Sequence, residues 1–284
     1  MKATIERHLK LYFSSKAGVF FSLLGALIAF VLYILFLQNN LVISWKDSMP
    51  KPEKILDLWI MGGVLTVTGI TTSWAALSRI VSDKERHVWQ DLILTDVSPL
   101  SITLGYILSA SIICFIMQIL VGLVMAFYFK QEDGLVISTK LIPQLLQVAL
   151  LSSLQGSLFA TTVLQFVNKM SLESSLSTLV GTASGFLVGV YMPIGVLPDS
   201  AQQLVKFVPG AYVASLFRHI LLDAKVESFG QAGIHFSKFM GIGLEWDKLT
   251  TKVQDYQIVL AIIAGQLLIL AIILMLKRKN KLTD

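Results

Sequence analysis

Six stretches without a charged residue divide the chain, at 18–37, 58–78, 97–129, 141–168, 174–198 and 256–276. About 20 apolar residues carry a helix across the hydrocarbon of a bilayer, and each stretch reaches that length. Apolar residues run continuously within them rather than alternating, so the pattern predicts helices and excludes a closed transmembrane barrel. The third stretch is longer than a bilayer requires and predicts a helix that tilts or projects. The first exceeds the about 7–15 apolar residues of a cleaved signal peptide. The fold class read from this pattern is an all-α polytopic membrane protein with six transmembrane helices.

Three segments outside the simple spans carry patterns of their own. Ile5, Leu9, Tyr12 and Phe13 recur at i, i+4, i+7 and i+8, with Lys2, Glu6, Arg7 and Lys10 on the other face. Residues 1–17 therefore predict an amphipathic elbow helix in the headgroup plane, or simply a charged anchor before span 1. Ser82-Asp83-Lys84-Glu85 matches a capping box and predicts a helix start. Val88, Trp89, Leu92 and Ile93 then form an apolar face, with Glu85, Arg86, Gln90 and Asp91 mostly elsewhere, until Pro99 stops or redirects the chain. Segment 82–95 reads as a docking helix for a soluble partner, or as a solvated helix resting on lipid. Pro193, Pro198 and Pro209 forbid a continuous helix later on. The short apolar pieces 204–208 and 211–222 predict a re-entrant hairpin in the outer leaflet. Arg218 is expected to snorkel from it to the headgroups. Residues 223–255 read as a polar external loop.

Composition sharpens this picture. The 284 residues are 55% hydrophobic and 14% charged, with a mean hydropathy of +0.72; soluble domains carry about 25% charged residues. Such a chain cannot clothe a water-facing exterior, so the excess apolar surface faces lipid. The net charge of +5 marks cytoplasmic edges near anionic lipid rather than nucleic acid. Twelve Lys and Arg flank one side, including Lys2, Arg7, Arg79, Lys84, Lys169 and Lys277, against five in the short loops opposite, Lys46, Lys51, Lys54, Lys130 and Lys140. Both termini are therefore expected in the cytoplasm of a bacterial plasma (inner) membrane. Cys114 is the single cysteine, which rules out an internal disulfide and a Cys-rich metal cluster.

The chemistry is mostly one of absence. The interiors of spans 1 to 4 and 6 hold no Asp, Glu, Lys, Arg or His, which disfavours proton relay. His8, His87, His219 and His235 are scattered and form no H-E-x-x-H pattern, so no catalytic or metal-ligating set is expected. No Gly-Lys dipeptide occurs, hence no phosphate-binding P-loop. If the chain pumps, its energy comes from another polypeptide.

At this point the residues resemble the type-2 ABC exporter permease family. Its E-R-G-T-L-E-x-L-L-x-T-P-V-S motif after span 2 is matched here by Glu85, Arg86, Leu92, Thr95, Val97 and Ser98, while His87 and Val88 replace Gly-Thr and Asp96 replaces Pro. A second block near the end of span 5 is present as Gly189, Pro193, Leu197, Pro198 and Pro209. The resemblance implies a non-catalytic membrane subunit of domains 1–17 (elbow) and 18–284 (six spans, coupling helix 82–95, hairpin and external loop 197–255). Two such chains would pair, as a homodimer or with a relative, above two cytosolic P-loop ATPase subunits. ATP and Mg would bind to those partners and no cofactor directly to this chain. Asp83, Glu85, Arg86, Trp89 and Leu92 would couple the helix to the ATPase.

Spans 2 and 5 line the pathway in that family. Their small and polar residues support either close helix packing or a pathway with hydroxyls and little charge. Thr66, Thr72, Thr178, Phe186, Tyr191, Pro193 and Leu197 are the pathway and gate candidates. The cargo suited to such a lining is a drug, antimicrobial peptide or lipid-like molecule. An ATP-independent secondary transporter or channel is the competing class, and would call for inverted repeats.

Overall fold

The computed structural model describes residues 1–95 and 97–280, with side chains to residue 275. Asp96 and Lys281 therefore lie outside the described residues, as do the side chains of Lys277, Arg278 and Lys279. Thirteen α-helices account for the described fold: α1 (Lys2–Ser14), α2 (Lys16–Ser22), α3 (Leu24–Leu32), α4 (Gln38–Trp45), α5 (Pro52–Glu85), α6 (Val88–Ile93), α7 (Pro99–Glu132), α8 (Ile142–Leu164), α9 (Met170–Leu187), α10 (Asp199–Val205), α11 (Pro209–Val226), α12 (Gln231–Met240) and α13 (Lys252–Asn280).

Among the described residues, five helical segments are long and apolar enough to cross a membrane, Leu24–Trp45, Pro52–Glu85, Pro99–Glu132, Thr139–Leu164 and Lys252–Met275, or six if one bent helix pair counts as a single span. The chain is a multi-pass membrane protein. The first of these begins six residues later than the apolar run suggested, because Ser15 caps α2 through the Gly18 amide and the chain turns again at Leu23. A wide π-type turn at Tyr33–Leu37 joins α3 to α4 and carries the crossing on to Trp45. The expected fifth span behaves differently. Its helix, α9, stops at Leu187, ahead of Gly189 at φ 69°, and its many Ser and Thr keep it from joining the five.

The segment expected to form a re-entrant hairpin is a pair of helices, α10 and α11, bent by 84° at a short break, the geometry of a broken span or of a re-entrant loop. Pro209 starts α11, and every residue from Gly210 to Leu222 is buried. The supposed loop beyond it contains α12 and a tight turn in which Gly241 and Gly243 have positive φ.

The molecule is organised around α5. Its most apolar window is 89% buried, against 17% for the α3–α4 crossing and 22% for α13. It packs on α3, α7, α8, α9 and α11. Small residues make this possible. A Cβ on Gly63 would meet Val190 Cγ2 at 2.6 Å, and one on Gly62 would meet the Arg218 amide nitrogen at 3.2 Å, so α11 crosses α5 against bare backbone. One turn further on, Gln118 of α7 donates to the Leu65 carbonyl at 3.2 Å and to Ser152 of α8 at 2.8 Å, tying three helices by one amide. At the end away from α6, Tyr33 and Gln38 both donate to Asp57, and Gln38 reaches Asp133 as well.

Candidate functional site

The end of α5 that carries Glu85 gathers most of the motif residues. Asp83 is fully buried there. Arg7 donates to both of its oxygens, at 2.9 and 3.2 Å, Arg79 Nε lies 2.9 Å from Oδ1, and the Tyr106 hydroxyl donates to Oδ2. One carboxylate thus joins α1, α5 and α7. Its hydrogen bond with Arg7 raises that guanidinium further above its ordinary value. His8, one residue on, packs edge-on against Tyr106. Its Nε2 donates to the Ala76 carbonyl at 2.8 Å, which leaves Nδ1 to accept from Ser109. Burial pushes the His8 imidazole down to about 4, so it is neutral in the docked helix. Helix α1 is therefore pinned by polar groups. Thr4 and His8 face the bundle, and Phe13 of the expected apolar face is exposed.

Asp83 cannot touch a partner, and a helix does not start at Ser82. The capping-box residues form the last turn of α5, because Asp83 is claimed by two arginines and a tyrosine rather than by local amides. The break falls at Arg86–His87, where His87 takes φ 61°, and α6 covers only Val88–Ile93. Lys84 donates to the carbonyls of Leu164, Gln165 and Val167, which closes the α8 end onto α5. Glu85 accepts from the Met170 amide at 3.3 Å and so holds the start of α9. Trp89 stacks on Tyr106 with ring centroids 6.2 Å apart, and Leu92 and Ile93 also lean on the bundle. Arg86, Gln90, Asp91 and Leu94 point away, Leu94 being 85% exposed.

The pathway candidates separate by face. Thr66 and Thr72 are buried among helices and do not line the groove between α2, α5 and α9. The face of α5 left partly open is Thr71, Ala75, Ser78 and Ser82, one residue out of phase with that expectation. With Ser177 and Thr178 of α9 and Phe21 and Ser22 of α2, it walls a lateral groove. The groove comprises two cavities of about 400 and 360 Å³ that share Phe21, Ser22, Ala75 and Ser177. Tyr191 lines its far end and meets Phe186 edge-on at 5.1 Å. Pro193 is buried and Leu197 half-buried, both beyond the groove.

Sequence reasoning missed a fully buried cation. Arg218 does not snorkel. It is fully buried, donates to the carbonyls of Val188, Gly189 and Gly241 at 2.9 to 3.2 Å, and lies 5.0 Å from the Trp59 ring centroid. It closes the carbonyls freed where α9 ends, and Trp59 donates to Met240 beside it. Ser215 links the same helix to Asp255 of α13 and accepts from the Gly243 amide at 2.8 Å. Among the described residues no cluster of His, Cys, Asp or Glu is placed to hold a metal ion.

The family model described as "ABC-2 family transporter protein" matches residues 55–276, from the start of α5 through most of α13. Comparison with curated proteins and with solved structures returns no match. The match spans the central helix, both ends of its packing and the α10–α12 region, and with five apolar crossings it decides the class. The chain belongs to the ABC-2 transporter family, as a transmembrane permease component of an ABC transporter.

Proposed function

We propose that the chain is the permease subunit of an ATP-driven exporter, working as a pair of identical chains over two cytosolic P-loop ATPases in a bacterial plasma membrane. Both termini and α6 then face the cytoplasm. The observation that carries this reading is the junction beneath α6. A short helix with Gln90 and Asp91 outward, flanked by exposed Arg86 and Leu94, rests through Trp89 on α7 at the end of α5 that Asp83 ties to α1 and α7 and Glu85 ties to α9. A push on α6 is delivered to the core helix and to the helix facing it across the groove. Closely packed interiors transmit such displacement instead of absorbing it. ATP and Mg act only in the partner, and the cargo is amphiphilic or apolar.

The test is purification of the chain from its native membrane in mild detergent, with identification of bound proteins. A stoichiometric P-loop ATPase is expected. Leu94→Asp with Asp91→Lys, on the exposed face of α6, should release it while the permease remains folded. A wild-type chain that purifies alone and moves solute in ATP-free vesicles would overturn the reading.

A further inference from the structure

The groove between α2, α5 and α9 contains a carboxylate that the coupling scheme does not use. Glu173 stands in the first turn of α9 and is 5% exposed. Trp74 donates to its Oε1 at 3.1 Å. It has no ion-pair partner among the described residues, although the Arg79 guanidinium and the neutral His8 imidazole line the same cavity. Arg79 is committed to Asp83, and His8 to Ala76 and Ser109. The helix dipole at the start of α9 offsets only part of the cost of holding a carboxylate out of water. The rest of the groove is uncharged, with Tyr12, Phe21, Trp74 and Tyr191 as aromatic surface and Ser177 and Thr178 as hydroxyls. Its volume suits a small amphiphile.

Resting on the permease reading, we propose that this groove binds amphiphilic organic cations, with Glu173 as counter-charge and Tyr12 and Phe21 as the aromatic surface of the same cavity. The charged head sits at Glu173 near the α6 end, and the apolar body lies along α9 toward Tyr191. Burial of the pair behind α2 makes the electrostatic attraction stronger than at an open surface, and the Tyr12 and Phe21 rings of the cavity offer cation–π attraction. Neutral molecules of the same shape gain only the apolar contacts. Anions meet an uncompensated negative charge and are refused.

The probes are tetraphenylphosphonium, its neutral analogue tetraphenylsilane and its anionic analogue tetraphenylborate, bound to the full chain in lipid nanodiscs and corrected for protein-free discs. The phosphonium is expected to bind best. Glu173→Gln should weaken it roughly tenfold or more, the scale of a lost charge-assisted contact, and leave the silane unchanged. Thr178→Trp, which fills the groove, should lower both. Where Glu173→Gln fails to fold, the wild type still decides: the phosphonium should protect Glu173 from dicyclohexylcarbodiimide, and the borate should not. Equal binding of cation and anion, or no protection, overturns the inference. Because no ATPase is present, these results are independent of the co-purification experiment. A chain that holds its ATPase yet ignores the cation sinks this proposal alone.

Discussion

Asp83 and Arg218 illustrate how a charged side chain near a membrane acquires a structural role. Each is fully buried and each satisfies groups from several helices. Asp83→Asn keeps the shape and the Tyr106 contact but leaves Arg7 and Arg79 without their counter-charge. Those arginine side chains are 28% and 30% exposed, so water relieves part of the loss. The expected destabilisation is about 2–3 kcal/mol, below the full cost of breaking a buried pair. Chemical denaturation in detergent, followed by tryptophan fluorescence, reads it directly. An unchanged midpoint would show that solvent already screens the cluster. Nothing in the order of residues announced these partnerships beyond the Arg79–Asp83 spacing of four, since Arg7 and Tyr106 meet Asp83 from far along the chain.

At the scale of an element, helix α1 is held by a residue that titrates. His8 is neutral when docked, with its value pushed from 6.5 down to about 4 by burial. Undocked, it protonates at the ordinary value, so the free helix binds more protons between those limits. Docking is therefore strongest above about 6.5 and is lost progressively as pH falls toward 4. Hydrogen-exchange protection of residues 2–14, corrected for the intrinsic rate, should fall across that window. His8→Gln keeps a donor for the Ala76 carbonyl and should flatten the profile. Protection that does not change with pH in the wild type would show that His8 does not control docking. The same scale explains why α6 is shorter than its pattern. A capping box stabilises a helix start only when the preceding residue leaves the helix, and here α5 runs through it to Glu85.

The whole molecule is a core helix, α5, surrounded on most sides and open along one stripe. Beside that stripe, Leu172, Leu179 and Phe186 follow one another at intervals of seven on the outer surface of α9, all exposed. In the proposed pair this surface meets the second chain. With Cys114→Ser, which removes the buried native thiol, a single Leu179→Cys should form a disulfide-linked dimer on mild oxidation of native membranes. A species that stays monomeric while a cysteine on α13 cross-links would move the interface away from α9. Joining α9 to the pairing surface, to the groove and to Glu85 gives one helix a part in each step of the proposed cycle.

The sequence by itself determined that this is a helical multi-pass membrane protein, because continuous apolar runs without charge leave few other structures. It also marked the segment 82–95 and the proline-rich block at 193–209, since local motifs and breakers act through nearby backbone. Only the tertiary structure decided which face of α5 stays open, since a shift of one residue exchanges Thr72 for Thr71 and both faces are equally rich in small side chains. It also decided that Asp83 is a tie between helices, that Arg218 is a core residue, and that α9 ends at Leu187. Those outcomes depend on partners distant in the chain. A buried charge is tolerable only where folding brings acceptors to it, and no local pattern records where they come from.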